Sequence, residues 1–223
     1  MAHWLDTVFF PFDRAVLGAI HNFAVATGGG FDWLMKLLGL IGEGGACFIA
    51  LGLILCLFKK TRKSGVCVLL ALVCGAVITN ICLKNIVARP RPFVDLAKPF
   101  HEWWVYMGSP HASKNSFPSG HTTSAIASML ALFLTSKKKR YTWGYLLIGL
   151  LMGFSRMYIV VHYATDVIGG ILAGAVGALA AFFLTKWIFS LLEQHREKRV
   201  YALALDFSLP ALFSRKKSET DEK

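Results

Sequence analysis

Four runs without a charged residue, at residues 64–83, 119–136, 141–155 and 167–185, decide what this chain can become. Three of them hold 18 to 20 residues, and the 15-residue run extends to about Val161 if Arg156 is admitted. At 1.5 Å per residue, about 20 residues cross the hydrocarbon of a bilayer. Inside that hydrocarbon the backbone must satisfy its own hydrogen bonds, so such runs become helices. A fifth run, 15 uncharged residues between Glu43 and Lys59, needs help from the apolar stretch before it, and a crossing helix is expected from about residue 44. With 55% hydrophobic residues and a mean hydropathy of +0.53 over 223 positions, the chain is too apolar for a soluble domain. The expected fold is all-α, a polytopic membrane helical bundle of about five transmembrane helices.

Residues 1–43 differ in kind. Trp4, Phe9, Phe10, Phe12, Phe23, Phe31 and Trp33 alternate with polar residues, and Gly28-Gly29-Gly30 makes a break. That pattern predicts two amphipathic helices lying at the membrane interface. Asp6, Asp13 and Arg14 interrupt the early apolar residues and no basic n-region precedes them, which argues against a secretory signal. Three units follow: interfacial helices over 1–43, a transmembrane catalytic domain over 44–190, and a tail over 191–223 expected to be cytoplasmic and partly disordered.

The formal charge is +11, and its placement matters more than its size. Lys59-Lys60-Thr61-Arg62-Lys63, Lys137-Lys138-Lys139-Arg140 and the stretch from Lys186 onward carry 16 of the 24 basic residues. They sit at the ends of apolar runs, so they read as topology signals rather than as a nucleic-acid surface. Alternating spans put all three on one side, the cytoplasmic one by the positive-inside rule. Residues 84–118 and the turn at Val161-His162 then share the opposite face. Cys47, Cys56, Cys67, Cys74 and Cys82 lie in apolar segments with no CxxC or Cys/His spacing, and are read as neither disulfides nor ligands.

On that outer face stand three short blocks: Lys84-(x6)-Arg91-Pro92, Pro118-Ser119-Gly120-His121, and Ser155-Arg156-(x5)-His162-(x3)-Asp166. Singly, each has an ordinary reading: cations anchoring a helix end, a common helix start, a structural His-Asp pair. Together they bring three cations, two imidazoles, a carboxylate and a helix N-terminus to one surface. Pro118-Ser119-Gly120 opens a helix whose first N–H groups are free for an anion. His162 and Asp166, four apart, share a helix face, where a carboxylate fixes an imidazole tautomer. Phosphoryl transfer needs such parts: charge on the phosphoryl oxygens, an aligned nucleophile and a proton for the leaving oxygen.

The order and spacing of the blocks resemble the type 2 phosphatidic acid phosphatase family, whose integral-membrane members dephosphorylate lipid phosphates and diphosphates, with soluble vanadium haloperoxidases as distant relatives. Every signature position between Lys84 and Asp166 is filled. The resemblance implies that Lys84, Arg91, Arg156, Ser119 and the Gly120 N–H hold the phosphate. It implies that His162 attacks phosphorus to form a phosphohistidine, that His121 protonates the leaving oxygen and then activates water, and that Asp166 orients His162. No cofactor is expected, and no metal, because three cationic side chains supply the charge and no carboxylate cluster stands ready to hold one. The expected partners are a lipid phosphate and the membrane, with undecaprenyl diphosphate as first choice by family analogy. Phosphatidic acid and phosphatidylglycerol phosphate compete with it, as does phosphate transfer to another lipid or sugar. A non-enzymatic transporter of anionic lipids is the reading from another class; paired broken helices in an internal repeat would mark it, and the sequence has no such repeat. The aromatic segment 93–117 is expected to anchor at the interface, with a lid as the sharper alternative; His101 and His111 match no signature position.

Overall fold

The structure, a computed structural model, describes residues 1–208; the expected tail beyond that point lies outside the described residues. The N-terminal part holds α1 (Ala2–Val8), α2 (Phe10–Ala26) and α3 (Asp32–Ile41). The bundle holds α4 (Ala46–Cys56), α5 (Arg62–Ala76), its π-helical continuation Val77–Leu83 and one further turn, α6 (Lys84–Val87). Then come α7 (Phe100–Tyr106), α8 (Gly120–Thr135), α9 (Lys139–Tyr158), α10 (Ala164–Gln194) and α11 (Arg199–Asp206).

Small residues let the helices close. Cys67, Val68, Ala71, Ala127, Ala131, Ala178 and Ala181 form one buried cluster among α5, α8 and α10. A Cβ at Gly177 would stand 2.9 Å from the Gly75 amide nitrogen, and one at Gly170 would stand 2.7 Å from the Ser119 carbonyl oxygen. With lipid outside as apolar as the side chains inside, this close packing of backbones is what draws the helices together.

Arg62–Val87 and Ala164–Gln194 are long and apolar enough to cross a membrane, and the pair Asp32–Ile41 and Glu43–Cys56, bent by 44°, adds a third if taken as one span. Of the four uncharged runs, those at 64–83 and 167–185 fall in helices that meet this length and composition by themselves, and those at 119–136 and 141–155 do not. The reason is local: α8 has only 16 helical residues because its start is a polar turn, and the 20 residues of α9 include Lys139, Arg140 and Arg156. At one end of the bundle Lys59 pairs with Asp206 at 2.6 Å and Lys63 lies over the Phe189 ring, so the first basic block and the end of α10 meet. The three motif blocks occupy the other end.

The N-terminal part departs from expectation in two ways. It forms three helices, because the chain breaks at Phe9 as well as at Gly28 and Gly29, which take positive φ. It also packs inward: Leu17, Ile20, Ala24 and Met35 share a buried cluster with Tyr158, Val160, Val161 and Tyr163, next to the motif residues. The outer segment joins the same cluster. Phe93 stacks on Trp104 with ring centres 4.4 Å apart, and Trp103 stacks on His21 at 5.0 Å. These rings are half-buried against protein.

Candidate active site

The continuation of α5 winds as a π-helix over Val77–Leu83, and Lys84 follows it directly. Wider turns of this kind recur at functional sites because they re-aim the next side chain. After α6 the chain leaves helical geometry at Ala88, with φ of +49°, and enters Arg89-Pro90-Arg91-Pro92, which cannot continue as helix. Residues 113–116 run back along it and hold it in place. Ser116 N–H donates to the Arg89 carbonyl at 2.8 Å, and the Ser116 hydroxyl donates to the Pro90 carbonyl at 3.0 Å. Arg91 is aimed by this loop, donating to the Ser113 carbonyl at 2.8 Å, the Ser113 hydroxyl at 2.9 Å and the Val161 carbonyl at 2.6 Å.

These turns meet α8, α9 and α10 around one cavity of about 850 Å³. Lys84, Arg91, Gly120, His121, Arg156 and His162 all line it. Five side chains singled out from spacing, together with the Gly120 backbone, are therefore brought together. Asp166 stands behind His162, fully buried. Ser119 is the exception. It is absent from the cavity wall, its hydroxyl accepts from the Thr122 hydroxyl at 2.9 Å, and it caps α8. Its own N–H donates to the Asp166 carbonyl at 3.0 Å, so it ties α8 to α10. The resemblance puts the Ser119 hydroxyl on the phosphate; here its oxygen also caps the first turn of α8 as an acceptor, which leaves its O–H able to donate.

His162 is 2% exposed. Its Nε2 lies 2.9 Å from an Arg91 nitrogen and its Nδ1 lies 3.4 Å from Asp166 Oδ2. A guanidinium only donates, so Nε2 must accept and Nδ1 must carry the proton toward Asp166. Burial first, and then the Arg91, His121, Arg156 and Lys84 charges, hold His162 well below the usual imidazole range. The ring is neutral, and the lone pair that faces the cavity is Nε2. Asp166 itself is held from three sides. Its Oδ2 also accepts from the Tyr163 N–H at 2.9 Å, completing a capping box at the start of α10, and its Oδ1 accepts from Arg89 at 2.9 Å.

Among the described residues, no carboxylate lies within 4 Å of Lys84, Arg91 or Arg156. Burial pushes Arg91 down to about 10, with Asp166 and Glu43 opposing it. Three cations facing one cavity without a partner make an anion site. Above them lies α3. A Cβ at Gly39 would overlap the Arg156 guanidinium, and a Cβ at Gly42 would stand 3.1 Å from the His121 ring. The His121 Nε2–H donates to the Gly39 carbonyl at 3.2 Å, and Glu43 Oε2 lies 3.3 Å from the same nitrogen.

Sequence reasoning misses Glu43, Gly39 and Arg89. In the sequence Glu43 only interrupts a span, although a lone acid between glycines next to a histidine-bearing cavity is a signal of sorts. His111 lines the cavity and His101 does not, its Nδ1 lying 2.8 Å from the Phe93 carbonyl.

One side of the cavity is apolar. Leu40, Ile49, Leu69, Leu72 and Val73 line it, and Leu40, Ile49 and Val73 are exposed on the outside of the bundle. The charged floor is thus continuous with the surface that the bundle presents to its surroundings.

Known proteins share parts of this sequence and this fold. A family model described as the PAP2 superfamily matches residues 64–204. The undecaprenyl-diphosphatase BcrC of Bacillus subtilis (strain 168) is 35% identical over 102 residues, covering 46% of this chain and 48% of the relative. Phosphatidylglycerophosphatase B of the same organism is 32% identical over 182 residues, covering 76% of this chain and 74% of the relative. The chain spans about half the length of BcrC and of the undecaprenyl-diphosphatase of Sulfolobus acidocaldarius, 48% and 55%. The crystal structure of Aquifex aeolicus LpxE superposes with a TM-score of 0.53 at 25% identity, over 68% of this chain and 84% of that one.

Proposed function

This chain belongs to the PAP2 superfamily and is a helical membrane protein, and from that premise we propose that it is a metal-independent phosphatase of lipid phosphates. The observation that carries the reading is the single cavity in which three unpaired cations and two histidines meet an apolar wall reaching the bundle surface. The first substrate is undecaprenyl diphosphate, the substrate named for the BcrC relative. Phosphatidylglycerol phosphate is the second, supported by the longer match to phosphatidylglycerophosphatase B.

In this reading Lys84, Arg91, Arg156 and the N–H groups that open α8 hold the phosphoryl oxygens. A phosphoryl oxygen draws the Arg91 N–H away from His162 and frees Nε2. That nitrogen attacks phosphorus in line, a P–N bond forms, and the P–O bond to the lipid breaks. His121 donates its Nε2 proton to the departing oxygen, with Glu43 Oε2 3.3 Å from that nitrogen. It then takes a proton from water, which cleaves the P–N bond and releases inorganic phosphate. Asp166 keeps the His162 proton on Nδ1 throughout, and Ser119 braces α8 against α10. The lipid tail follows the apolar wall outward between α4 and α5.

The positive-inside pattern, with the first basic block and the end of α10 at one end of the bundle, supports a multi-pass topology whose site faces away from the cytoplasm. Residues 1–43 then lie at the outer interface, 44–190 form the transmembrane catalytic domain, and the chain from 191 lies on the cytoplasmic side.

The test is phosphate release by detergent-purified protein from undecaprenyl diphosphate, phosphatidylglycerol phosphate and phosphatidic acid in EDTA, with His162→Ala alongside. Release that disappears in the variant supports the reading, and the three rates rank the substrates. Activity lost in EDTA and restored by Mg²⁺ would overturn metal independence, and no release from any lipid would favour phosphotransfer or transport.

A further inference from the structure

Two residues before Arg91 lies Arg89, 1% exposed and outside the signature spacing. Every edge of its guanidinium is engaged. Nε donates to Asp6 at 2.8 Å, one terminal nitrogen donates to Thr165 at 2.7 Å and Asp166 at 2.9 Å, and the other donates to Asp13 at 2.8 Å. The Tyr163 ring covers its face, 3.7 Å away. Burial works against its charge, but Asp166, Asp13 and Asp6 more than offset this and hold the proton above the usual range. Asp13, 0% exposed, also accepts from the Thr165 N–H at 2.9 Å and so caps α10 from another helix.

Thus the carboxylate of Asp166 has one oxygen taken by Arg89 and the other shared between the Tyr163 N–H and His162. Without Arg89, the nearest other cation is Arg91, which already touches His162. A carboxylate that swung onto Arg91 would neutralise a phosphate-binding group and release the imidazole. We propose that Arg89 and Asp13, with Asp6, are positioning residues for phosphoryl transfer: they lock Asp166 onto His162 and keep it off Arg91, making α1 and α2 part of the catalytic apparatus. This rests on the phosphatase reading above. Lysine cannot replace Arg89, since one ammonium cannot reach three carboxylates in a plane.

Around His162 stand Arg91 at Nε2, Asp166 at Nδ1, and His121, Arg156 and Lys84 across the cavity, with Glu43 beside His121. None of these residues is itself substituted in Arg89→Gln or Asp13→Asn. Removing the Arg89 cation raises the proton affinity of His162, so the acid limb of kcat/KM moves to higher pH. Removing the Asp13 anion moves it to lower pH, each by about one unit. Phosphate release from undecaprenyl diphosphate, measured against pH on purified full-length variants, reads both shifts. Arg89→Lys is expected to lose about 10- to 100-fold in kcat, the range seen when groups that orient a reactive ligand are lost, with KM within about twofold. Asp6→Asn, on the more exposed partner, is expected to lose less, and with Asp13→Asn it decides the matter if Arg89→Gln does not fold. Lowered melting points with unchanged kcat and an unmoved acid limb would overturn the proposal, leaving the network a structural clamp. Release by the unmodified protein that survives His162→Ala would instead sink the phosphatase reading and this one with it.

Discussion

Arg89 and Arg91 are separated by one proline, both are buried, and they have opposite surroundings. Arg89 sits in a sealed pocket with three carboxylates within 2.9 Å. Arg91 faces an 850 Å³ cavity with carbonyls, a hydroxyl and an imidazole, and no carboxylate within 4 Å among the described residues. A buried charge is tolerated when it is paired, and an unpaired one survives only where a ligand or water completes it. The first pocket is therefore finished without a ligand and the second calls for an anion. The same residue type, two positions along, holds the protein together in the first case and faces an open cavity in the second.

That contrast can be broken by experiment. Arg89→Gln leaves two buried carboxylates, Asp13 and Asp166, and the half-buried Asp6 without their cation and should destabilise the fold by about 3–5 kcal/mol, while Arg156→Gln, which removes a cation with no carboxylate within 4 Å among the described residues, should leave the melting point unchanged or higher. Thermal unfolding in one detergent compares the two, and equal losses would end the distinction. On activity the ranking changes sides: Arg91→Gln and Arg156→Gln should each lower kcat/KM for phosphate release about 100- to 1,000-fold. A smaller loss, about 10- to 100-fold, is expected from Gly39→Ala, because the added methyl displaces the Arg156 guanidinium without changing any charge. A Gly39→Ala enzyme with parental kcat/KM would show that α3 does not set that position.

Inorganic phosphate provides the mildest test. At ten times its Kd it should stabilise the protein by about 1.4 kcal/mol relative to chloride at matched ionic strength. The shift should persist in Asp6→Asn and vanish in Arg91→Gln. A shift of the same size in both would place the anion elsewhere.

How much of this is legible in the sequence varies residue by residue. Lys84, Arg91, His121, Arg156 and His162 are all located by spacing, and they meet at one cavity. Spacing works there because each block ends or starts a helix, and helical periodicity together with alternating spans forces those ends to one side. The His162-Asp166 contact is likewise a matter of four residues on one helix face. Spacing alone leaves Ser119 open, because a helix-opening hydroxyl can serve its own first turn, a ligand or both.

Arg89 escapes sequence reading altogether. Its partners Asp6 and Asp13 lie 83 and 76 positions away, on helices whose sequence speaks only of amphipathicity. The sequence by itself determined the class of the chain, the end of the bundle where the three motif blocks stand, and the side chains that line the cavity, since all of these follow from local periodicity and the cost of charge in hydrocarbon. Only the tertiary structure decided which buried cations are neutralised, that α1 and α2 reach Arg89 behind Asp166, and that α3 roofs the cavity. Those outcomes depend on which distant groups come within about 3 Å, a matter of packing that no short stretch of sequence encodes.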